Sequence, residues 1–128
     1  MNSFANVLAA AAVILGLTVA VAKAQEIQEA TGPFRTETMQ ASCRAFIDRQ
    51  KPHDAGAAFK EGVCAGVVGT VMRLAPGMNA TFRFCPAREA TLEQAIPVLV
   101  EYIDAHPAML KYDIRDVASL AFRRMWPC

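Results

Sequence analysis

The stretch "RRMWPC", residues 123–128, places a cysteine directly behind the proline that stops the last apolar stripe of the chain. A thiol in that position has no helix left to pack within, so it reads as one half of a covalent staple. Its three possible partners are Cys43, Cys64 and Cys85, and four cysteines allow three connectivities. Spacing ranks them. Cys43 and Cys64 lie at matching distances on either side of a break near His53, so a helical hairpin turning there would bring them side by side. A second hairpin turning near Met109 would set the start of its first helix beside the end of its second, within reach of a Cys85–Cys128 bond. A cross-link between hairpins, such as Cys43 to Cys85, remains open. Each bond would contribute about 3 to 4 kcal/mol by closing a loop of the unfolded chain.

Staples of this kind need an oxidising compartment, and the other end of the chain points to one. An apolar run from Val7 to Ala22 leads into Ala22-Lys23-Ala24, the small-x-small pattern read by signal peptidase, so residues 1–24 are expected to be a cleaved signal peptide. The run is shorter than the roughly 20 residues of a membrane-spanning helix. Its removal leaves about 100 residues, enough for one core and too few for two. What is left carries equal numbers of basic and acidic side chains. A chain with that balance has no net field to draw it to nucleic acid or to an anionic membrane.

Residues 25–35 are polar, contain Gly32-Pro33 and show no apolar period, which predicts a flexible arm ahead of a helical domain over residues 36–128. Met39, Cys43, Phe46 and Ile47 fall on one helical stripe, with Thr36 as the expected N-cap. The Lys51-Pro52 pair breaks that helix. Phe59, Val63, Val67, Val71 and Leu74 predict the core face of a second helix ending at Ala75-Pro76-Gly77. Thr91 and Gln94 form a capping box for a third, whose core face is Leu92, Ile96, Leu99 and Ile103. Pro97 inside that pattern predicts a kink or a delayed start. Asp113 caps a fourth, with Ile114, Val117, Ala121 and Met125 inward. The fold class is therefore all-α, a small disulfide-stapled four-helix domain of two helical hairpins.

Two features remain unused by that core. Gly62, Gly66 and Gly69 line one side of the second helix, where each costs roughly 1 kcal/mol relative to alanine. That cost predicts close packing against the first helix or against a second subunit. The segment from Pro76 to Arg88 is long and irregular, which in so small a domain points to function. Its Thr81-Phe82-Arg83-Phe84 run alternates and predicts a short strand, with one phenylalanine inward. Met78, Asn79, Phe82, Arg83 and Arg88 are the candidate partner-binding residues, since apolar and arginine side chains anchor interfaces.

Catalytic and metal chemistry find no footing. No Cys-x-x-Cys or His-x-x-x-His occurs, and His53 and His106 lie far apart in sequence. Oxidised cysteines are not nucleophiles, and the glycines of the second helix do not precede a lysine as a phosphate loop requires. His106 instead suits the carbonyl end of the third helix. The expectation is a non-enzymatic binding protein with no cofactor, no metal site, no nucleic-acid partner, and no membrane association after signal cleavage.

The segments "FKEGVCAGVVGTV", "FCPAREATLEQAIPVLVEYIDAHP" and "FRRMWPC", together with all four cysteines, resemble the Rap/Tai family of type VI secretion immunity proteins. The resemblance runs from about Cys43 to Cys128. It implies a periplasmic helical homodimer that inhibits a peptidoglycan amidase toxin by steric occlusion, with a protruding loop plugging the active-site cleft. The candidate plug here is Pro76 to Arg88. An alternative of another class is an acid-stress holdase of the Hde type, also small, exported, helical and disulfide-bonded. A holdase would open and expose apolar surface in acid. A structural subunit of an envelope complex would do neither.

Overall fold

The computed structural model describes residues 27–49 and 54–128. The expected signal peptide and the Lys51-Pro52 break, with His53, lie outside the described residues. Four helices carry the fold: α1 (Thr36–Ile47), α2 (Ala55–Leu74), α3 (Leu92–Ala105) and α4 (Ile114–Met125). Short 3-10 turns follow α2 at Ala75–Gly77 and α3 at Pro107–Lys111. Among the described residues there is no strand, only two isolated bridges. The chain is thus all-α, as its periodicity predicts. The α1–α2 and α3–α4 pairs form the two hairpins, and α1 also packs on α3 to join them.

Both staples form as the hairpin geometry predicts. Cys43 is bonded to Cys64 and Cys85 to Cys128, each pair with Cα atoms 5.0 Å apart. The two bonds differ in setting: Cys43 and Cys64 are fully buried, whereas Cys85 and Cys128 are exposed. One braces the core and the other ties surface segments together.

The start and stop signals mostly act as their chemistry dictates. Asp54 Oδ1 accepts from the Ala57 N–H at 2.9 Å and starts α2. Gln94 Oε1 accepts from the Thr91 N–H at 3.0 Å and closes the capping box of α3. Pro97 neither delays nor ends that helix, which runs continuously through it. At its end His106 donates from Nδ1 to the Tyr102 carbonyl at 2.8 Å, satisfying one orphan acceptor of the last turn. Thr36 is a correction. Arg35 is the N-cap of α1, and the buried Thr36 hydroxyl donates 2.9 Å across to the Tyr112 carbonyl instead.

That bond belongs to a seam that the polar composition of residues 25–35 conceals. Glu29 bridges to Tyr112 and Arg35 to Asp113, with the Ala30 N–H donating to Lys111 O and the Ile114 N–H to Phe34 O. Residues 27–35 therefore run along the start of α4 instead of forming the free arm expected. Gly32, at φ +86°, supplies the turn within this stretch, a conformation that glycine adopts without steric cost.

The core face of α2 is the largest correction. Cys64, Val68, Val71 and Ala75 are buried, while Phe59 is 72% and Leu74 58% exposed. Val71 is buried as periodicity selects, whereas Cys64, Val68 and Ala75 each lie one residue beyond the expected Val63, Val67 and Leu74, because the bond to Cys43 fixes Cys64 inward. On α4 the inward residues include Phe122 and not the exposed Met125, and on α1 Ile47 is exposed. Ile96, Leu99 and Ile103 of α3 are buried as expected.

Candidate partner-binding site

The irregular segment after α2 is a fixed structure carried on α4. It is not a strand. Asn79 Oδ1 accepts from the Thr81 N–H at 2.9 Å and the Phe82 N–H at 3.3 Å, and the Phe82 and Arg83 N–H groups also donate to Asn79 O. An asparagine side chain that takes up the following N–H groups offers the backbone a turn in place of a ladder. This overturns the alternation read at Thr81 to Phe84.

Successive turns of α4 hold this segment. The Ser119 hydroxyl lies 3.6 Å from Met78 Sδ, Arg123 donates to the Thr81 carbonyl, and Phe84 packs on Phe122 with ring centroids 5.4 Å apart. Beyond the helix, the Cys85 N–H donates to Trp126 O at 2.9 Å beside the bond to Cys128. Phe84 is fully buried. It is the inward phenylalanine, leaving Phe82 half-buried beside the exposed Arg83.

The five candidate residues thus divide. Met78, Asn79, Phe82 and Arg83 belong to one turn, and the exposed Arg88 follows beyond the Cys85 staple. Met78 packs against the core, and the Asn79 side chain is spent on the turn, so these two support the segment. Arg83 and Arg88 are the exposed ones, with Phe82 partly buried beside them. Sequence reading missed Ser119, Arg123 and Phe122 as its supports. The only signal for them is their spacing on α4, and the loop they touch is too far away in sequence to be associated with it.

A second feature is an apolar groove of about 460 Å³ along α2, lined by Gly62, Val63, Gly66, Val67 and Leu74 and closed at its side by Phe34 and Met78. A β-carbon added at Gly62 or Gly66 would meet nothing within 4 Å, and at Gly69 only the Leu92 side chain, at 3.8 Å. The glycine stripe therefore does not pack against α1, which corrects the first of the two expectations for it.

Arg115 borders the groove, stacked over the Phe34 ring at 4.9 Å and paired with Asp113. Burial works to raise the Asp113 carboxyl, but hydrogen bonds from the Arg115 side chain and N–H, with the guanidinium charge, hold it below the ordinary carboxylate range. Asp116 is raised, by burial first and then by the Asp113 charge. The signs are opposite. Asp113 stabilises the fold above the ordinary carboxylate pKa and loses that contribution as pH falls through its own lower value, whereas Asp116 costs stability at neutral pH and is relieved by acid. Asp113→Ala is expected to cost about 1 kcal/mol at neutral pH through the lost cap of α4. Thermal melts of the two proteins should converge as pH falls below about 4.

Among the described residues no group of three or more His, Cys, Asp or Glu side chains is placed to hold a metal ion, and no helix is long and apolar enough to cross a membrane. Two disulfides mark an oxidising compartment. The family model of the Rap1a immunity proteins matches residues 35–128, and the chain belongs to that family. No curated protein and no solved structure matches it. Membership makes the chain an immunity protein of the type VI secretion kind, whose partner is a toxin protein.

Proposed function

We propose that this protein, exported to the periplasm by residues 1–24, inhibits a peptidoglycan amidase toxin by steric occlusion. The blocking element is Pro76 to Arg88, with Phe82, Arg83 and Arg88 as its contacts and Met78 and Asn79 as its supports. The carrying observation is that this segment, in a chain of an immunity family, is held by α4 and by the Cys85–Cys128 bond. A segment already held in shape loses little conformational freedom on binding, so more of its contact energy is kept as affinity. The occluding role needs no reacting group of its own.

The test is survival. A panel of type VI peptidoglycan amidases, each directed to the periplasm of a sensitive host, is co-expressed with this chain or with its Arg83→Glu variant. Rescue from one amidase by the parent and not by the variant is the expected result. Rescue from none would remove the amidase reading, and equal rescue by the variant would remove the loop from it.

The same reading has the protein acting as a homodimer, and the groove on α2 supports a face for it. Phe59 and Leu74 lie at similar distances on either side of Gly66 and Val67. A two-fold axis through the middle of the stripe would bring the Phe59 end of one protomer beside the Leu74 end of the other. The glycines would let the two helices approach closely. Phe59→Glu with Leu74→Glu, both exposed in the single chain, should convert the dimer to a monomer while both disulfides persist. Sedimentation equilibrium decides this, and a dimer unaffected by the pair of changes would exclude this face.

A further inference from the structure

The charges on this domain are not evenly spent. Arg44 pairs with Asp104, Arg49 with Glu93, Arg115 with Asp113 and Lys111 with Glu29, at 2.5 to 3.0 Å. The arginines at the loop-bearing end make no ion pair among the described residues. Arg83 and Arg88 are exposed on the loop itself. Arg123 donates to the Thr81 carbonyl, and Arg124 sits over the Tyr102 ring at 5.1 Å, the two lining one shallow depression on α4. Glu89 next to Arg88 and Glu101 beside Arg124 leave the balance there positive. Among the described residues, Lys60 and Arg73 on α2 also make no ion pair.

We infer that Arg83, Arg88, Arg123 and Arg124 form one docking surface for an acidic patch on the partner protein, bordering the cleft that the loop covers. This deepens the occlusion reading and rests on it. Three physical points carry the inference. A cation that makes no ion pair has none to give up when it meets a carboxylate, whereas the paired cations elsewhere would have to. Guanidinium groups match carboxylates as planar forks, and all four cations here are arginine. Arg123 and Arg124 are also held in place, by a carbonyl and by a ring, so their ordering cost on binding is low.

The substrate of a cell-wall amidase sharpens the inference. Peptidoglycan stem peptides carry free carboxylates, so a mimic of the substrate would be acidic. An arginine surface does the opposite, and it meets acidic groups outside the substrate's own contacts. Phe82, in the same turn as Arg83, is then the apolar contact within a charged surround.

The experiment measures association of the full chain with each purified amidase of the panel, at ionic strengths from about 0.05 to about 0.5 M. Its variant carries Arg83→Gln, Arg88→Gln and Arg124→Gln together, leaving the Arg123–Thr81 contact in place. Non-reducing mass mapping checks that both bonds survive. The expected result is an affinity for the bound amidase that falls about tenfold or more over that salt range, and on the order of 100-fold in the variant. An amidase bound and inhibited equally well by the variant, or without salt dependence, overturns this surface and leaves the immunity reading standing. Binding to no amidase overturns both. A parallel arm uses vesicles of phosphatidylglycerol; sedimentation with them that the variant loses would assign the arginines to anionic lipid and overturn the protein-partner inference.

Discussion

Replacing Cys43 and Cys64 together by alanine is expected to lower the stability of the domain by about 3 kcal/mol, and its melting temperature by on the order of 12 °C or more. The bond closes a loop across a sequence separation of 21 residues, and chain entropy alone assigns that closure most of the loss. Packing adds to it. Both half-cystines are fully buried among Met39, Phe46 and Val68, so their removal leaves space in a core that is small to begin with. The bond also fixes which face of α2 points inward. Without it, the helix has a second apolar stripe, through Phe59, Val63, Val67 and Leu74, to offer α1 in its place. Differential scanning calorimetry measures the loss, and a shift of only a few degrees would contradict the assignment of this bond as the core brace.

Phe84→Ala carries the second large effect. The ring is fully buried against Phe122 at the root of the loop, and truncating such a side chain costs about 3–5 kcal/mol. Phe82→Ala, two residues away and only partly buried, should cost less than Phe84→Ala because part of its ring stays in water. The pair separates support from contact. Phe84→Ala lowers the denaturant midpoint the more, whereas Phe82→Ala, with the smaller drop, loses inhibition while the loop stays rooted. Equal midpoints for the two variants would mean that the loop is not rooted where Phe84 stands.

The residues that betrayed the fold are those whose chemistry is local. Thr91 with Gln94, Asp113 and the breaks after Leu74 and Ala105 each act on backbone groups a few positions away, so a window of sequence contains the whole cause. The disulfide pairing was legible because an antiparallel hairpin turns sequence distance into spatial position. The inward face of α2 was not. Apolar and small residues surround that helix almost completely, so its period carries no direction, and the deciding constraint is a bond to another helix. The seam between residues 27–35 and 111–114 was hidden for a related reason: backbone groups make it, and they leave no mark on composition. In the candidate site, the length and irregularity of Pro76 to Arg88 were legible, but nothing in the sequence marked Asn79 as the hinge pin of its turn.

Inhibition followed against stoichiometry is the direct test of whether the braced loop covers an amidase cleft. Purified amidase identified by the survival panel is titrated with this protein while release from peptidoglycan is followed. A second titration uses a folded variant with Phe82→Ala and Arg83→Ala. The parent is expected to abolish hydrolysis near one loop per enzyme, and the variant, with both disulfides intact, to leave it running. Full inhibition by the loop variant, or none by the parent, would contradict occlusion by the loop.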